Sequence, residues 1–285
     1  MKQALPDIPN ELRLERDLIF NTDPSRPLRL HLLTPRAVQE LRPALVYIFG
    51  GAFRTGSKDS GIAPLLPFAQ AGYVCAAIEY RFSSEALFPA QVEDCKCAVR
   101  FLRHHATALG IDQDRIGAWG PSSGGHLATM LGVTSGIAAL EEDGGWVGTS
   151  SAVQAVCNWF GPTDFLRMNA AGSSQDHDAA DSPESELLGA AIQSRPDLAA
   201  AANPISYIAA SSAIPPFLVM HGDADPLVPF NQSELLVAAL QAVSADVTFE
   251  RIAGAGHGGP AFETPAVQQR VRAFFDTHLR HAVQP

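Results

Sequence analysis

Two adjacent serines lie between glycines in the stretch GAWGPSSGGHLATM, and one of them is a candidate nucleophile. Residues 120–124 form a G-x-S-x-G pattern. A tight turn from a strand into a helix strains its central residue, and glycines two positions before and after that residue avoid side-chain clashes. That register selects Ser122 as the nucleophile and leaves Ser123 at the start of the following helix. The alternative is a glycine- and serine-rich turn without chemistry.

A serine needs a base and an orienting acid, because its hydroxyl is a weak nucleophile at its ordinary pKa. Behind a strand–turn–helix nucleophile the chain order is serine, acid, histidine. His257 lies in the stretch AGAGHGG after the candidate acids, so it is the predicted base. Asp223 and Asp225 in HGDADPLVP compete for the acid role, and their spacing leaves both open. His221 in the same stretch is predicted to be structural, closing the acid loop.

Backbone donors for a developing oxyanion are predicted at two places. The stretch GGAF, residues 50–53, follows an apolar run, and its small residues let backbone N–H groups face the site. The N–H of Ser123 lies at a helix N-terminus, which also favours negative charge. A simple strand-ending turn is the alternative for GGAF. The three stretches occur in the order that the chemistry requires, which favours the catalytic interpretation.

The elements that must position these residues are strands followed by loops. Apolar runs alternate with helical patterns, and each candidate residue follows a strand, at the end of a parallel sheet where ligands bind. This alternation predicts one α/β domain, residues 1–285, with a mostly parallel sheet of about eight strands and helices on both faces. The predicted strand segments are 28–33, 44–49, 73–78, 116–119, 152–160, 217–220 and 247–252.

Two helices have a clear apolar periodicity. Apolar residues spaced by three and four between residues 92 and 109 predict one helix, with Gly110 at its C-cap. Near the C-terminus, Thr264 and Pro265 are typical of an N-cap and a first helical position.

A long polar segment, residues 165–204, interrupts the alternation and predicts a small cap over one end of the sheet. It carries only short helical patterns. The cluster Asp176, His177 and Asp178 within it is predicted to be a solvated acidic loop rather than a metal site, because no further ligand stands at helical spacing nearby.

Composition disfavours several other classes of function. The formal net charge of -10 repels nucleic acid and anionic lipid, and no apolar run reaches the length of a membrane span. Cys75, Cys95, Cys97 and Cys157 lack metal-ligand spacing and are predicted to be reduced. The first residues contain no apolar signal region, which predicts a cytoplasmic protein, or a secreted one if a signal has been removed. A monomer or small homo-oligomer is expected.

The chain resembles the α/β-hydrolase fold and, within it, the esterases related to hormone-sensitive lipase, most closely the bacterial group with feruloyl and acetylxylan esterases. The resemblance covers about residues 13–279. It rests on the stretches IFGGAF, EYRFS, FPAQVEDCKCAVRFL, GPSSGGH, WFGPTDF, HGDADPLVP and GAGHGG.

The resemblance implies a role for individual residues. Ser122 and His257 match the family's catalytic serine and histidine, and the pattern H-G-x-x-D-x-x-V-P selects Asp225 as the acid. The family's H-G-G-G motif begins here with Phe49, so the support that its histidine gives the oxyanion loop is lost. The oxyanion donors implied are the N–H groups of Gly51, Ala52 and Ser123.

The function that follows is a serine ester hydrolase working through an acyl-enzyme, without metal or cofactor. Short acyl esters, acetyl to butyryl, or feruloyl esters of small molecules or plant carbohydrates are the expected substrates. Phe53, Trp159, Phe160 and Asp164 are candidate pocket residues, with core packing as the alternative for the aromatic ones. An arylformamidase-type amide hydrolase is the alternative enzyme. A non-catalytic receptor on the same fold is disfavoured because His257 is retained.

Overall fold

One eight-stranded sheet organises the chain in a computed structural model that describes residues 5–37, 40–141, 144–211 and 213–280. Its strands are β1 (Leu12–Ile19), β2 (Arg29–Pro35), β3 (Arg42–Ile48), β4 (Val74–Ile78), β5 (Ile111–Pro121), β6 (Ala155–Trp159), β7 (Phe217–Gly222) and β8 (Val247–Ile252). Their order is β1-β2-β4-β3-β5-β6-β7-β8. The pairs β1–β2 and β2–β4 are antiparallel, and every later pair is parallel. The predicted mostly parallel sheet is confirmed.

Helices cover both faces of this sheet. They are α1 (Ile62–Gln70), α2 (Ala90–His104), α3 (Ala106–Leu109), α4 (Ser123–Val133), α5 (Pro183–Leu188), α6 (Pro196–Ala202), α7 (Ile205–Ile208), α8 (Asn231–Ala242) and α9 (Pro265–Leu279). On one face of β5, Gly117 packs against Phe275 of α9, and the Trp119 ring lies 5.6 Å from Phe68 of α1. On the other face, Gly120 packs against α4. Within the described ranges, no helix is long and apolar enough to cross a bilayer.

The central strands are apolar along their whole length because both of their faces are covered. All five residues of β4 are buried, and so are all five of β6. Because β3 and β5 to β8 run parallel, their C-terminal ends lie along one edge of the sheet. The predicted functional stretches all follow these ends.

The strand at one edge of the sheet, β1, was not among the predicted segments. β1 pairs only with β2, and of its eight residues only Leu12 is buried, so its sequence LRLERDLI has no continuous apolar run. Its pairing also shifts between Glu15 and Leu18, where Asp17 has a φ of 59°. A bulge of this kind breaks the alternation by which a half-buried strand is recognised.

The predicted helix caps are confirmed, but one helix that was predicted to be continuous is divided in two. Gly110 caps α3 in the left-handed region, and the Thr264 hydroxyl accepts from the N–H of Val267 at the start of α9. The prediction of one continuous helix to residue 109 is wrong, because α2 ends at His104. The ring of His105 packs between Phe101 and a tryptophan outside the helix, and its Nδ1 bonds to the Phe101 carbonyl oxygen. His105 itself has φ -97° and ψ 14°, outside the range of a regular α-helix.

Candidate active site

Ser122 occupies a strained turn between β5 and α4, with φ 53° and ψ -127°. Its N–H donates to the Trp159 carbonyl over 2.8 Å. The flanking glycines leave no room for a side chain: a Cβ at Gly120 would lie 2.4 Å from the carbonyl carbon of Gly124, and one at Gly124 would lie 2.0 Å from the oxygen of Ile48. The turn is therefore held by close packing on both sides.

His257 connects the serine to an acid. Its Nε2 is 2.9 Å from Ser122 Oγ, and its Nδ1 is 2.7 Å from Asp225 Oδ2. A carboxylate can only accept, so Nδ1 carries the proton and Nε2 accepts from the serine hydroxyl. The His257 side chain is 19% exposed. This arrangement allows the imidazole to remove the serine proton while it faces solvent and an incoming substrate.

Both carboxylate oxygens of Asp225 have hydrogen-bond partners. Its Oδ1 accepts from the N–H groups of Leu227 (2.9 Å) and Val228 (3.0 Å), and its side chain is fully buried. Burial would raise the pKa of Asp225, but hydrogen bonds from His221 and His257 hold it well below its ordinary value. The group therefore stays charged throughout the neutral and mildly acidic range.

The two neighbouring polar residues of this loop have structural partners. His221 is fully buried, with Nδ1 2.7 Å from Ser233 Oγ and Nε2 3.0 Å from the Val228 carbonyl oxygen, so it closes the acid loop as predicted.

Asp223 accepts from Arg251 Nε (2.5 Å) and from the N–H of Gly254 (2.6 Å). Of the two candidate acids, Asp225 contacts His257, and Asp223 joins the acid loop to the histidine loop.

The loop after β3 lies against the candidate nucleophile. A Cβ at Gly50 would lie 3.1 Å from Ser122 Cβ, and one at Gly51 would lie 1.9 Å from the oxygen of Thr55. Gly51 and Ala52 have φ values of 141° and 55°. Among the described residues, the N–H groups of these two make no hydrogen bond to another protein group. Together with the N–H at the start of α4, they are available to a ligand beside Ser122.

A family model described as BD-FAE matches residues 30–240 of the chain. The chain belongs to this family. Esterase LipQ of Mycobacterium tuberculosis is 31% identical over 217 residues, which are 75% of this chain and 50% of that protein. Esterase LipC of the same organism is 32% identical over 222 residues, 76% of this chain and 53% of that protein. The chain thus spans about half the length of the curated relatives it matches.

Solved structures extend the comparison over nearly the whole chain. A truncated form of a carbohydrate esterase from gut microbiota superposes with a TM-score of 0.86 at 30% identity, covering 94% of this chain and 97% of that one. Propionate-bound Est2, an esterase from Thermogutta terrifontis, superposes with a TM-score of 0.75 at 26% identity, covering 97% of both chains. This BD-FAE chain therefore has the predicted α/β-hydrolase fold.

Aromatic packing holds Phe49 at the start of the candidate oxyanion loop of this BD-FAE chain, at the position where the H-G-G-G motif has histidine. The Phe49 ring stacks on Tyr80 with centroids 4.6 Å apart, and the Tyr80 hydroxyl donates to the Phe49 carbonyl over 3.1 Å. The ring also lies close to Gly56, where a Cβ would be 2.3 Å from it. Tyr80 was not among the predicted site residues, although it stands in the quoted stretch EYRFS.

The predicted pocket residues differ in what they contact. Phe53 is 1% exposed, and its ring packs edge-on against His126 at 5.5 Å. Trp159 is also buried, with its Nε1 3.2 Å from a methionine sulfur. Phe160 lies nearer the chemistry, because its ring centroid is 4.7 Å from that of His257. Asp164 is partly exposed, and its N–H donates to a buried glutamine. Phe53 and Trp159 therefore have the core contacts that were the alternative to a pocket role.

The segment predicted to be a cap consists of short helical pieces around one buried histidine. His177 is 3% exposed, so the prediction of a fully solvated loop is wrong at this residue. The reason is tertiary: its ring bonds to Glu184 in α5 and to the carbonyl of Leu227, fifty residues along the chain. Over the described ranges, no group of three or more His, Cys, Asp or Glu residues could hold a metal ion. The four cysteines are buried free thiols, as predicted.

Proposed function

We propose that this chain is a serine carboxylesterase in which Ser122 is the nucleophile. One observation carries the proposal: an unbroken chain of hydrogen bonds, 2.9 Å and 2.7 Å long, runs from Ser122 through His257 to the buried anion of Asp225. The strained turn under Ser122 adds support, because strain of this kind persists at functional sites where the surrounding structure holds it. A receptor on this fold would have no need for this proton path.

In the first half of the reaction, Ser122 Oγ attacks the ester carbonyl while His257 Nε2 takes the hydroxyl proton. Asp225 stabilises the resulting imidazolium and keeps Nδ1 protonated, so Nε2 always faces the serine. The N–H groups of Gly51, Ala52 and Ser123 stabilise the oxyanion. As the tetrahedral intermediate collapses, His257 passes its proton to the leaving alcohol and an acyl-enzyme remains.

In the second half, water takes the place of the alcohol. His257 removes a proton from water, the hydroxide attacks the acyl carbonyl, and the same donors hold the second oxyanion. Collapse returns the proton to Ser122 and releases the carboxylic acid. Every proton that moves in this cycle passes through His257 Nε2, and no metal or organic cofactor is needed.

The proposed substrates are short acyl esters, acetyl to butyryl, or feruloyl esters, on a small alcohol or a plant carbohydrate. The truncated form of a carbohydrate esterase from gut microbiota, of which the match covers 97%, supports the carbohydrate side of this proposal. The Est2 structures with propionate and with butyrate bound support a short acyl group.

The test is hydrolysis of p-nitrophenyl acetate, butyrate, octanoate and ferulate by the wild type and by Ser122→Ala. Ser206→Ala is the matched control, because Ser206 is an exposed serine whose hydroxyl donates to Ala200. We expect turnover of the short or feruloyl esters to fall by about 10³-fold or more in Ser122→Ala and to persist in the control. Turnover that survives Ser122→Ala would refute the proposal, and selective turnover of N-formylarylamines would favour the amide hydrolase.

A further inference from the structure

The cap segment holds the loop of the candidate acid by its backbone carbonyls. The carbonyl of Pro226 accepts from both the N–H and the hydroxyl of Ser174, each over 2.7 Å. The carbonyl of Leu227 accepts from the hydroxyl of Ser173 over 2.7 Å and lies 3.0 Å from Nε2 of His177. Four contacts from one stretch of the cap thus converge on two consecutive peptides.

These peptides also carry the donors that orient Asp225. The N–H groups of Leu227 and Val228 both donate to Asp225 Oδ1, while Oδ2 faces His257. Leu227 is therefore held by the cap at its carbonyl and holds the acid with its N–H. A shift of this residue would move a donor of Oδ1 and, because the carboxylate is rigid, would turn Oδ2 away from His257 Nδ1.

The contacts of His177 favour a proton on each ring nitrogen. Nδ1 is 2.8 Å from Glu184 Oε2, and Nε2 is 3.0 Å from the Leu227 carbonyl oxygen. A carboxylate and a carbonyl both accept only, so a neutral imidazole would leave one nitrogen lone pair facing an acceptor. The Ser173 hydroxyl lies 3.0 Å from Nε2 and 2.7 Å from the Leu227 carbonyl oxygen, so its single proton can be donated to one of these two acceptors but not to both.

The surroundings favour this charged form. His177 and Glu184 are 3% and 4% exposed. Burial would lower the pKa of His177, but the hydrogen bond and charge of Glu184 raise it above its ordinary value, and Asp178 adds to the effect. The acid loop presents only a backbone carbonyl to the ring, so Glu184 on α5 and Asp178 in the cap are the ionised groups that act on it most strongly.

We propose that His177 is a positioning residue: paired with Glu184 as an imidazolium, it fixes the Leu227 peptide and thereby the orientation of Asp225. Its effect on turnover rests on the proposed esterase function, whereas the link between cap and acid loop can be measured without turnover. When the pH rises far enough to deprotonate His177, the remaining proton stays on Nδ1 beside Glu184. Nε2 then repels the Leu227 carbonyl, and kcat falls while KM for a small ester is retained.

Glu184→Gln tests this dependence on charge. The amide keeps an acceptor for Nδ1 but removes the counterion, so His177 loses its proton at a lower pH. Asp197→Asn is the matched control, because Asp197 pairs with Arg195 on the exposed surface of the same cap. The measurement is kcat and KM for p-nitrophenyl acetate against pH, with the number of active sites titrated by diethyl p-nitrophenyl phosphate.

We expect the fall in kcat at high pH to begin about one pH unit lower in Glu184→Gln, with KM changed by less than about twofold. Asp197→Asn should follow the wild type. Profiles of Glu184→Gln and wild type that superimpose would overturn the proposal, as would a change confined to KM.

A second measurement does not depend on activity or on folding of the cap variant. In Ser122→Ala, the ring resonances of His177 and the amide resonances of Leu227 and Val228 can be followed by NMR as a function of pH. We expect the two amides to titrate together with His177. Amide shifts that stay constant while His177 titrates would refute the link, even if the protein hydrolyses esters. Coupled titration in a protein without ester hydrolysis would instead refute only the esterase function.

Discussion

Ser122 can serve as a nucleophile only if its backbone stays in a conformation that serine rarely adopts. A positive φ at a residue other than glycine costs about 1–3 kcal/mol, which the surrounding structure must offset. Two backbone hydrogen bonds offset this cost: the Ser122 N–H donates to the Trp159 carbonyl, and the Ser122 carbonyl accepts from the His126 N–H. Close packing around Gly120 and Gly124 also holds the turn in place. The turn is therefore more sensitive to crowding than a surface turn with similar dihedral angles.

Substitution Gly124→Ala should remove nearly all activity and lower the thermal unfolding temperature, because the new methyl group would lie 2.0 Å from the Ile48 oxygen. Gly136→Ala is the control: Gly136 has a φ of 77°, but no atom lies within 4 Å of its Cβ position. Gly136→Ala therefore loses only the free energy of unfolding that a left-handed conformation costs an alanine, about 1–2 kcal/mol. This variant should keep its activity. Equal effects of the two substitutions, measured by calorimetry and ester hydrolysis, would contradict the importance of crowding.

The two aspartates of the acid loop should differ strongly in their effect on rate. If Asp225 orients His257 as proposed, Asp225→Asn would leave His257 in the wrong tautomer, and kcat should fall by about 10⁴-fold, the loss known for Ser-His-Asp triads. Asp223→Asn should reduce kcat by less than about tenfold, since the Asp223 side chain bonds to Arg251 and Gly254 and not directly to His257 or Ser122. Steady-state kinetics of both variants decide the matter, and a larger loss in Asp223→Asn would reverse the assignment.

The candidate oxyanion loop follows β3, and its first carbonyl, that of Phe49, accepts a hydrogen bond from Tyr80. Tyr80→Phe removes the hydroxyl that donates to the Phe49 carbonyl but keeps the stacked rings. We expect a loss of about 1 kcal/mol in the free energy of unfolding and a fall in kcat of about three- to tenfold with KM retained. Tyr207→Phe, which removes a partly buried hydroxyl bonded to Ala201, is the control. A Tyr80 variant that is less stable but fully active would show that the loop keeps its position without this bond.

The cap should also make stability depend on pH. Because Glu184 raises the pKa of His177, their pairing stabilises the fold fully below the ordinary histidine value, about pH 6.5, and the contribution is lost as the pH rises through the raised value. The difference in melting temperature between wild type and Glu184→Gln should therefore be larger near about pH 6 than near about pH 9. A difference that is constant or grows with pH, in thermal scans at matched ionic strength, would be evidence against a charged His177.

The sheet brings together residues that are far apart in sequence. The contact between His257 and Ser122 spans 135 residues, and that between His257 and Asp225 spans 32. Because a parallel sheet aligns the ends of its strands, the loop position and chain order of these residues were sufficient to predict the candidate site. Which aspartate faces His257 could not be derived from spacing alone, since both lie on the same short loop.

Long-range partners explain what the sequence could not predict. The buried strands β4 and β6 were recognisable because both of their faces are covered and need apolar residues, whereas β1 has one buried residue, Leu12, and an irregularity at Asp17. His177 sits among acidic residues, which is typical of a solvated loop. Its burial depends on Glu184 and on a carbonyl of the distant acid loop, and no local pattern indicates either contact.

If His257 activates Ser122 to form the proposed covalent intermediate, a reagent that phosphorylates activated serines will label Ser122. The most direct measurement is mass spectrometry of the wild type, Ser122→Ala and His257→Ala after exposure to diethyl p-nitrophenyl phosphate, which phosphorylates activated serines. We predict one diethylphosphoryl group per wild-type chain, on the peptide that contains Ser122, and none in either variant. Labelling of another residue, or continued ester hydrolysis by Ser122→Ala, would contradict the assignment of Ser122 as the nucleophile.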